Sequence, residues 1–134
     1  MKDRCAANAK RCMATILVVE DNDDVREMMS VTLELEGHDV VTAANGRQAL
    51  DKLHRGPAPC MILLDLMMPV MNGWQFQEEV SKDPKLAEIP VVVVSAMPGD
   101  RCRRLPAAAF IPKPIDVDKL LDVVCEFCDG IHAH

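Results

Sequence analysis

The sequence predicts an α/β fold in which a doubly wound sheet of five parallel strands is covered by helices on both faces. Three observations predict it. Short apolar runs alternate with helix-length segments along most of the chain. The runs are apolar at successive positions, not alternate ones, which implies burial on both faces of a sheet. The segments between them are long enough for helical crossovers, whose right-handedness leaves few topologies.

The elements follow in order. Thr15-Ile-Leu-Val-Val19 is the first strand, being continuous, branched and short. Asp23 to Glu36 is a helix with Val25, Met28, Met29, Thr32 and Leu33 on one face, and Gly37 ends it. Asp39-Val-Val-Thr-Ala43 is the second strand. Asn45 caps a helix carrying Ala49, Leu50 and Leu53, which Gly56-Pro57 stops. Met61-Ile-Leu-Leu64 is the third strand, and Trp74 to Lys82 a helix with Phe76 and Val80 four residues apart. Pro90-Val-Val-Val-Val94 is the fourth strand and Ala108 to Ile111 the short fifth. Asp116 caps a last helix whose apolar face is Val117, Leu120, Leu121, Val124, Cys125 and Cys128. Residues 1–12 lie outside this pattern and are expected to be a flexible extension; residues 13–130 form a single domain.

Composition narrows the function. With 15 basic and 21 acidic residues the net charge is −6, which argues against nucleic-acid binding by this chain alone. No apolar run approaches the ~20 residues that span a bilayer, so no membrane contact is expected. Aromatic residues are 3% of the chain, too few for stacking platforms. Without a secretory apolar segment near the N-terminus, the expected location is cytoplasmic and the six cysteines are expected to be free thiols. Cys125-Glu-Phe-Cys128 has the spacing of a metal or redox pair, but both residues fall on the apolar helix face, where packing is the simpler reading. Cys60 and Cys102 carry no partner signal.

In an open parallel sheet, ligands sit at the carboxyl ends of the strands. Glu20 and Asp21 follow the first strand, Asp65 the third, Ser95 the fourth and Lys113 the fifth. Three carboxylates, a hydroxyl and an ammonium thus converge on one edge. Three close carboxylates repel one another, and an oxygen-only donor set suits Mg²⁺. Solvated loop charges would explain any one of these positions but not all five together. No phosphate-binding glycine loop, histidine pair at metal spacing or nucleophile elbow competes.

These residues, in this order, resemble the response regulator receiver domain of bacterial two-component systems. The carrying segments are Ile16-Leu-Val-Val-Glu-Asp-Asn22, Asp65-Leu-Met-Met-Pro-Val-Met-Asn-Gly73, Val93-Val-Ser-Ala96 and Phe110-Ile-Pro-Lys-Pro114. The resemblance implies a flavodoxin-like sheet of order 2-1-3-4-5. It implies that Asp65 accepts a phosphoryl group from a phosphohistidine of a sensor histidine kinase or phosphotransfer protein, and that a downstream effector protein reads the result. It implies Mg²⁺ as cofactor, held by Asp21, Asp65 and the backbone carbonyl of Met67, with Glu20 acting mostly through water. Lys113 would pair with a phosphoryl oxygen, and Ser95 and Phe110 would form the conformational switch. The Lys113-Pro114 peptide is expected to be cis. Such a domain is not an enzyme in the ordinary sense, catalysing only its own phosphorylation and dephosphorylation.

The chain departs from the family between Ser95 and Lys113, where 98–106 is bounded by prolines and lacks an apolar stripe, so the fourth helix is expected to be short or irregular. A stand-alone switch and a receiver excised from a hybrid kinase or multidomain regulator both fit. An aspartyl phosphatase of the haloacid dehalogenase type is a remote alternative, because methionine 67 stands where its second acid would be.

Overall fold

The computed structural model describes residues 15–56, 58–66, 70–96 and 107–129, without the side chains of 128–129. The chain runs β1 (Thr15–Val19), α1 (Asp23–Leu35), β2 (Asp39–Ala43), α2 (Gly46–Arg55), β3 (Met61–Asp65), α3 (Gly73–Ser81), α4 (Pro84–Ala87), β4 (Val91–Ser95), β5 (Ala109–Pro112) and α5 (Val117–Val124), which passes into a π-helical turn, Cys125–Asp129. The five strands form one parallel sheet of order β2-β1-β3-β4-β5.

Side-chain alternation divides the core into two layers. Leu17, Val19, Ile62, Leu64, Val91 and Val93 face one side, against Ala49 and Leu53 of α2, Phe76 and Val80 of α3 and Leu86 of α4. Ile16, Val18, Met61, Leu63, Val92 and Val94 face the other, against Met29 and Leu33 of α1 and Leu120, Leu121 and Val124 of α5. Both faces of β3 and β4 are buried, which is why those strands read as unbroken apolar runs. The edge strands β2 and β5 are more exposed, and β2 carries the polar residues Asp39 and Thr42.

Asparagine and aspartate fix the helix starts. The Asn22, Asn45 and Asn72 side chains accept from the backbone N–H groups of Val25, Gln48 and Gln75 at 3.0, 2.9 and 2.9 Å. Gln75 reaches back to the Asn72 N–H at 3.0 Å, completing a capping box, and Asp116 caps α5.

The structure differs from the sequence expectation in five places. A short helix, α4, follows α3, begun by Asp83 as N-cap and Pro84 in its first turn. Asp65 and Ser95 are the last ladder residues of β3 and β4, not the first loop residues. The fifth strand lies one residue later, at Ala109–Pro112. Val117 is 42% exposed, and burial of the last helix begins only one turn later, at Leu120. Cys60 and Cys125 are disulfide-bonded, not free. Cys125 directly follows Val124 of the core, and a disulfide cannot be read from local spacing alone. The expected extension at 1–12, Met67, the segment 98–106, Cys5, Cys12 and Cys102 lie outside the described residues.

Candidate metal and phosphoryl site

The C-terminal edge of the sheet gathers the predicted residues. Glu20, Asp21 and Asp65 each present a carboxylate oxygen, all within 4.8 Å of one another. Glu20 and Asp65 are buried, whereas Asp21 is exposed. Lys113, arriving from β5, places its Nζ 3.0 Å from Glu20 Oε1, 3.3 Å from Glu20 Oε2 and 3.6 Å from Asp65 Oδ1. The Lys113 N–H donates to the Ser95 carbonyl at 3.0 Å, holding the end of β5 against the end of β4. The Lys113-Pro114 peptide is cis, as expected.

One ammonium among three carboxylates leaves two negative charges uncompensated within the cluster. Carboxylates this close repel one another, and a further positive charge among them relieves that repulsion. The donors are all oxygen, at the mouth of a rigid sheet, and Asp21 opens toward solvent. That donor set fits a hard divalent cation that keeps part of its water shell, as Mg²⁺ does.

The other two predicted residues, Ser95 and Phe110, lie on β4 and β5. Ser95 is buried at the end of β4, one residue past Val94, the register partner of Asp65. Phe110 pairs with Val93 and is half-buried against the α2–α3 layer of the core. Met67, named for its carbonyl, lies outside the described residues.

Three residues to which the sequence reading gave no role support the site, Arg26 and two that end the segments quoted above, Asn22 and Gly73. Arg26 on α1 donates to the Glu20 carbonyl at 2.9 Å and pairs with Asp23, bracing the β1–α1 connection. The Asn22 N–H donates to Glu20 Oε2 at 3.2 Å. Gly73 opens α3 with its N–H 2.9 Å from the Leu66 carbonyl. A Cβ at Gly73 would lie 2.7 Å from the Leu66 Cα and 3.1 Å from the Asp65 carbonyl, so only glycine lets α3 start against the strand that carries Asp65. Gly73→Ala is expected to cost roughly 2 kcal/mol and to lower the thermal midpoint by several degrees. Thermal unfolding measures it, and an unchanged midpoint would show that the close approach is not needed.

A parallel sheet of this order, with an acidic cluster and a lysine at its C-terminal edge, defines a doubly wound α/β domain whose candidate site lies at the carboxyl ends of its strands. The sequence matches the family model of the response regulator receiver domain over residues 16–125, and the chain belongs to that family. It is similar to protein PilH of Pseudomonas aeruginosa, with 32% identity over 116 residues covering 84% of this chain and 95% of that protein. The transcriptional regulatory protein CpxR homolog of Haemophilus influenzae is 37% identical over 81% of this chain, which spans only 48% of that longer protein. Among solved structures, the signal receiver domain of a signal transduction histidine kinase from Syntrophus aciditrophicus superposes with a TM-score of 0.81 at 30% identity, covering 90% of this chain and 94% of that one. A sensor histidine kinase receiver domain from Pseudomonas aeruginosa, with a magnesium ion coordinated in its active site cleft, superposes with a TM-score of 0.80 at 25% identity, covering 87% and 98%. Among the described residues, no helix is long and apolar enough to cross a membrane.

Proposed function

We propose that the chain accepts a phosphoryl group on Asp65 from a phosphohistidine of a sensor histidine kinase or phosphotransfer protein in a Mg²⁺-dependent reaction, and relays the signal to an effector protein through a conformational switch. The observation that carries this reading is the meeting of Glu20, Asp21, Asp65 and Lys113 at one edge of the sheet.

Asp65 is the nucleophile. It attacks as a carboxylate, a form in which no base has to remove a proton. One carboxylate oxygen forms a bond to phosphorus as the P–N bond to the donor imidazole breaks, and the imidazole leaves with the bonding pair. The product is an acyl phosphate, and the P–O bond is broken later by water. The transferred group carries its charge on three equatorial oxygens, so catalysis is chiefly positioning and charge neutralisation. Lys113 lies between Glu20 and Asp65, where it can exchange a carboxylate partner for a phosphoryl oxygen. Asp21 and Asp65, with Glu20, would hold Mg²⁺, which would supply the remaining positive charge for the phosphoryl oxygens. Ser95 offers a hydroxyl beside Asp65, and its movement toward a new phosphoryl oxygen would change the space open to Phe110 one strand away. The domain acts on itself only, phosphorylating and dephosphorylating its own aspartate. The solved receiver domains of sensor histidine kinases that it resembles support a kinase or phosphotransfer protein as donor.

The test is incubation with acetyl phosphate and Mg²⁺ followed by intact mass measurement. The parent protein is expected to gain one phosphoryl group and Asp65→Asn none. Equal incorporation by both proteins would overturn the assignment.

A further inference from the structure

We propose that Cys60 and Cys125 pair with each other as a reversible thiol–disulfide site, oxidised by low-molecular-weight disulfides and reduced by dithiols, that staples the last helix to the sheet. Both residues are disulfide-bonded. Cys60 packs against one layer of the core, and Cys125 directly follows a residue of that layer. Cys60 packs against the cluster built from Met61, Leu63, Leu120, Leu121 and Val124. Cys125 follows Val124 directly and lies four residues after Leu121, on the helix stripe that enters that cluster. The Cys60 N–H donates to the Thr15 carbonyl at 2.8 Å, which fixes the approach to β3 against the start of β1. Cys125 closes α5 and opens the π-helical turn that follows it. Both residues are half-buried, so small thiols can reach them.

The site is separate from the acidic cluster and does not rest on the phosphoryl reading. Cys60 immediately precedes β3 and Asp65 ends it, so the two lie at opposite edges of the sheet, roughly 16 Å apart along the strand. The pairing closes a loop of some 65 residues, long enough for strong restriction of the unfolded chain. The core does not depend on it, since apolar residues fill both faces of the sheet. Opening and closing therefore occur in a folded protein.

The chemistry is two exchange steps. One cysteine thiolate attacks glutathione disulfide, forming a mixed disulfide and releasing one glutathione thiolate. The second cysteine thiolate then attacks the protein sulfur of that mixed disulfide and releases the second glutathione. The two protein thiols are oxidised, the glutathione disulfide is reduced, and two protons are lost from the protein. A dithiol reverses both steps.

The test uses the full chain equilibrated with glutathione disulfide or with dithiothreitol, alkylated, digested and mapped by mass spectrometry. A peptide cross-linked through Cys60 and Cys125 is expected after oxidation, with both cysteines alkylated after reduction. The thermal midpoint is expected to fall on reduction by on the order of 10 °C, with near-ultraviolet circular dichroism retained. Cys60→Ser and Cys125→Ser should each abolish that dependence on reductant. The proposal is overturned if either residue cross-links to a different cysteine, if both alkylate fully after oxidation, or if reduction alone unfolds the protein.

Discussion

Replacing Lys113 with alanine is expected to destabilise the metal-free protein by roughly 2–3 kcal/mol, most of which millimolar Mg²⁺ restores. Glu20 is fully buried, and its carboxylate has Lys113 Nζ at 3.0 Å. Removing one partner of a buried pair costs roughly 3–5 kcal/mol, because the remaining charge is left without compensation. The lysine side chain is 23% exposed, which lets water screen the pair and moves the expected cost below that range. Three carboxylates within 4.8 Å then repel one another without a cation among them, and a divalent ion relieves that repulsion. The midpoint should therefore drop by roughly 10 °C in chelator and recover largely with Mg²⁺. Thermal unfolding with and without the ion measures both. A midpoint equal to the parent in chelator would contradict the electrostatic account of the site.

Asp21→Asn should have the opposite profile, with an intact fold and weakened function. Asp21 is exposed and lies before the first turn of α1, so its replacement disturbs no buried contact. It does remove one of the few anionic oxygens available to the ion. Mg²⁺ affinity is expected to fall at least ~10-fold, and at subsaturating Mg²⁺ the rate of phosphorylation by acetyl phosphate should fall in proportion. Calorimetric titration and time-resolved mass measurement report the two quantities. Unchanged affinity in Asp21→Asn would remove that residue from the metal site.

The two predictions separate what the sequence made legible from what it did not. Strand positions were readable because a parallel strand buried on both faces must be an unbroken apolar run, as Met61 to Leu64 is. The site was readable for the same reason, since Glu20, Asp65 and Lys113 interrupt or end such runs where nothing in the core requires a charge. Local chemistry also announced the caps at Asn45 and Asp116. It announced α4 as well, through Asp83 followed by Pro84, a signal passed over because the segment is too short to show periodicity. The support that Arg26 gives the Glu20 carbonyl has no local signature, because it depends on how α1 docks. The demand for glycine at position 73 depends on the path of Leu66, and the bonding of Cys60 and Cys125 on tertiary placement. Each of these is a long-range consequence of packing, visible only once the sheet is assembled.

Chemical trapping of the phosphorylated residue tests the central claim most directly. After treatment with acetyl phosphate and Mg²⁺, borohydride reduction cleaves an aspartyl phosphate and leaves homoserine in place of the aspartate, which peptide sequencing locates. Homoserine at position 65 alone, and none when the ion is chelated, is the predicted result. Homoserine at another aspartate, a borohydride-resistant phosphate on Ser95, or modification of Asp65 that is indifferent to magnesium would contradict it.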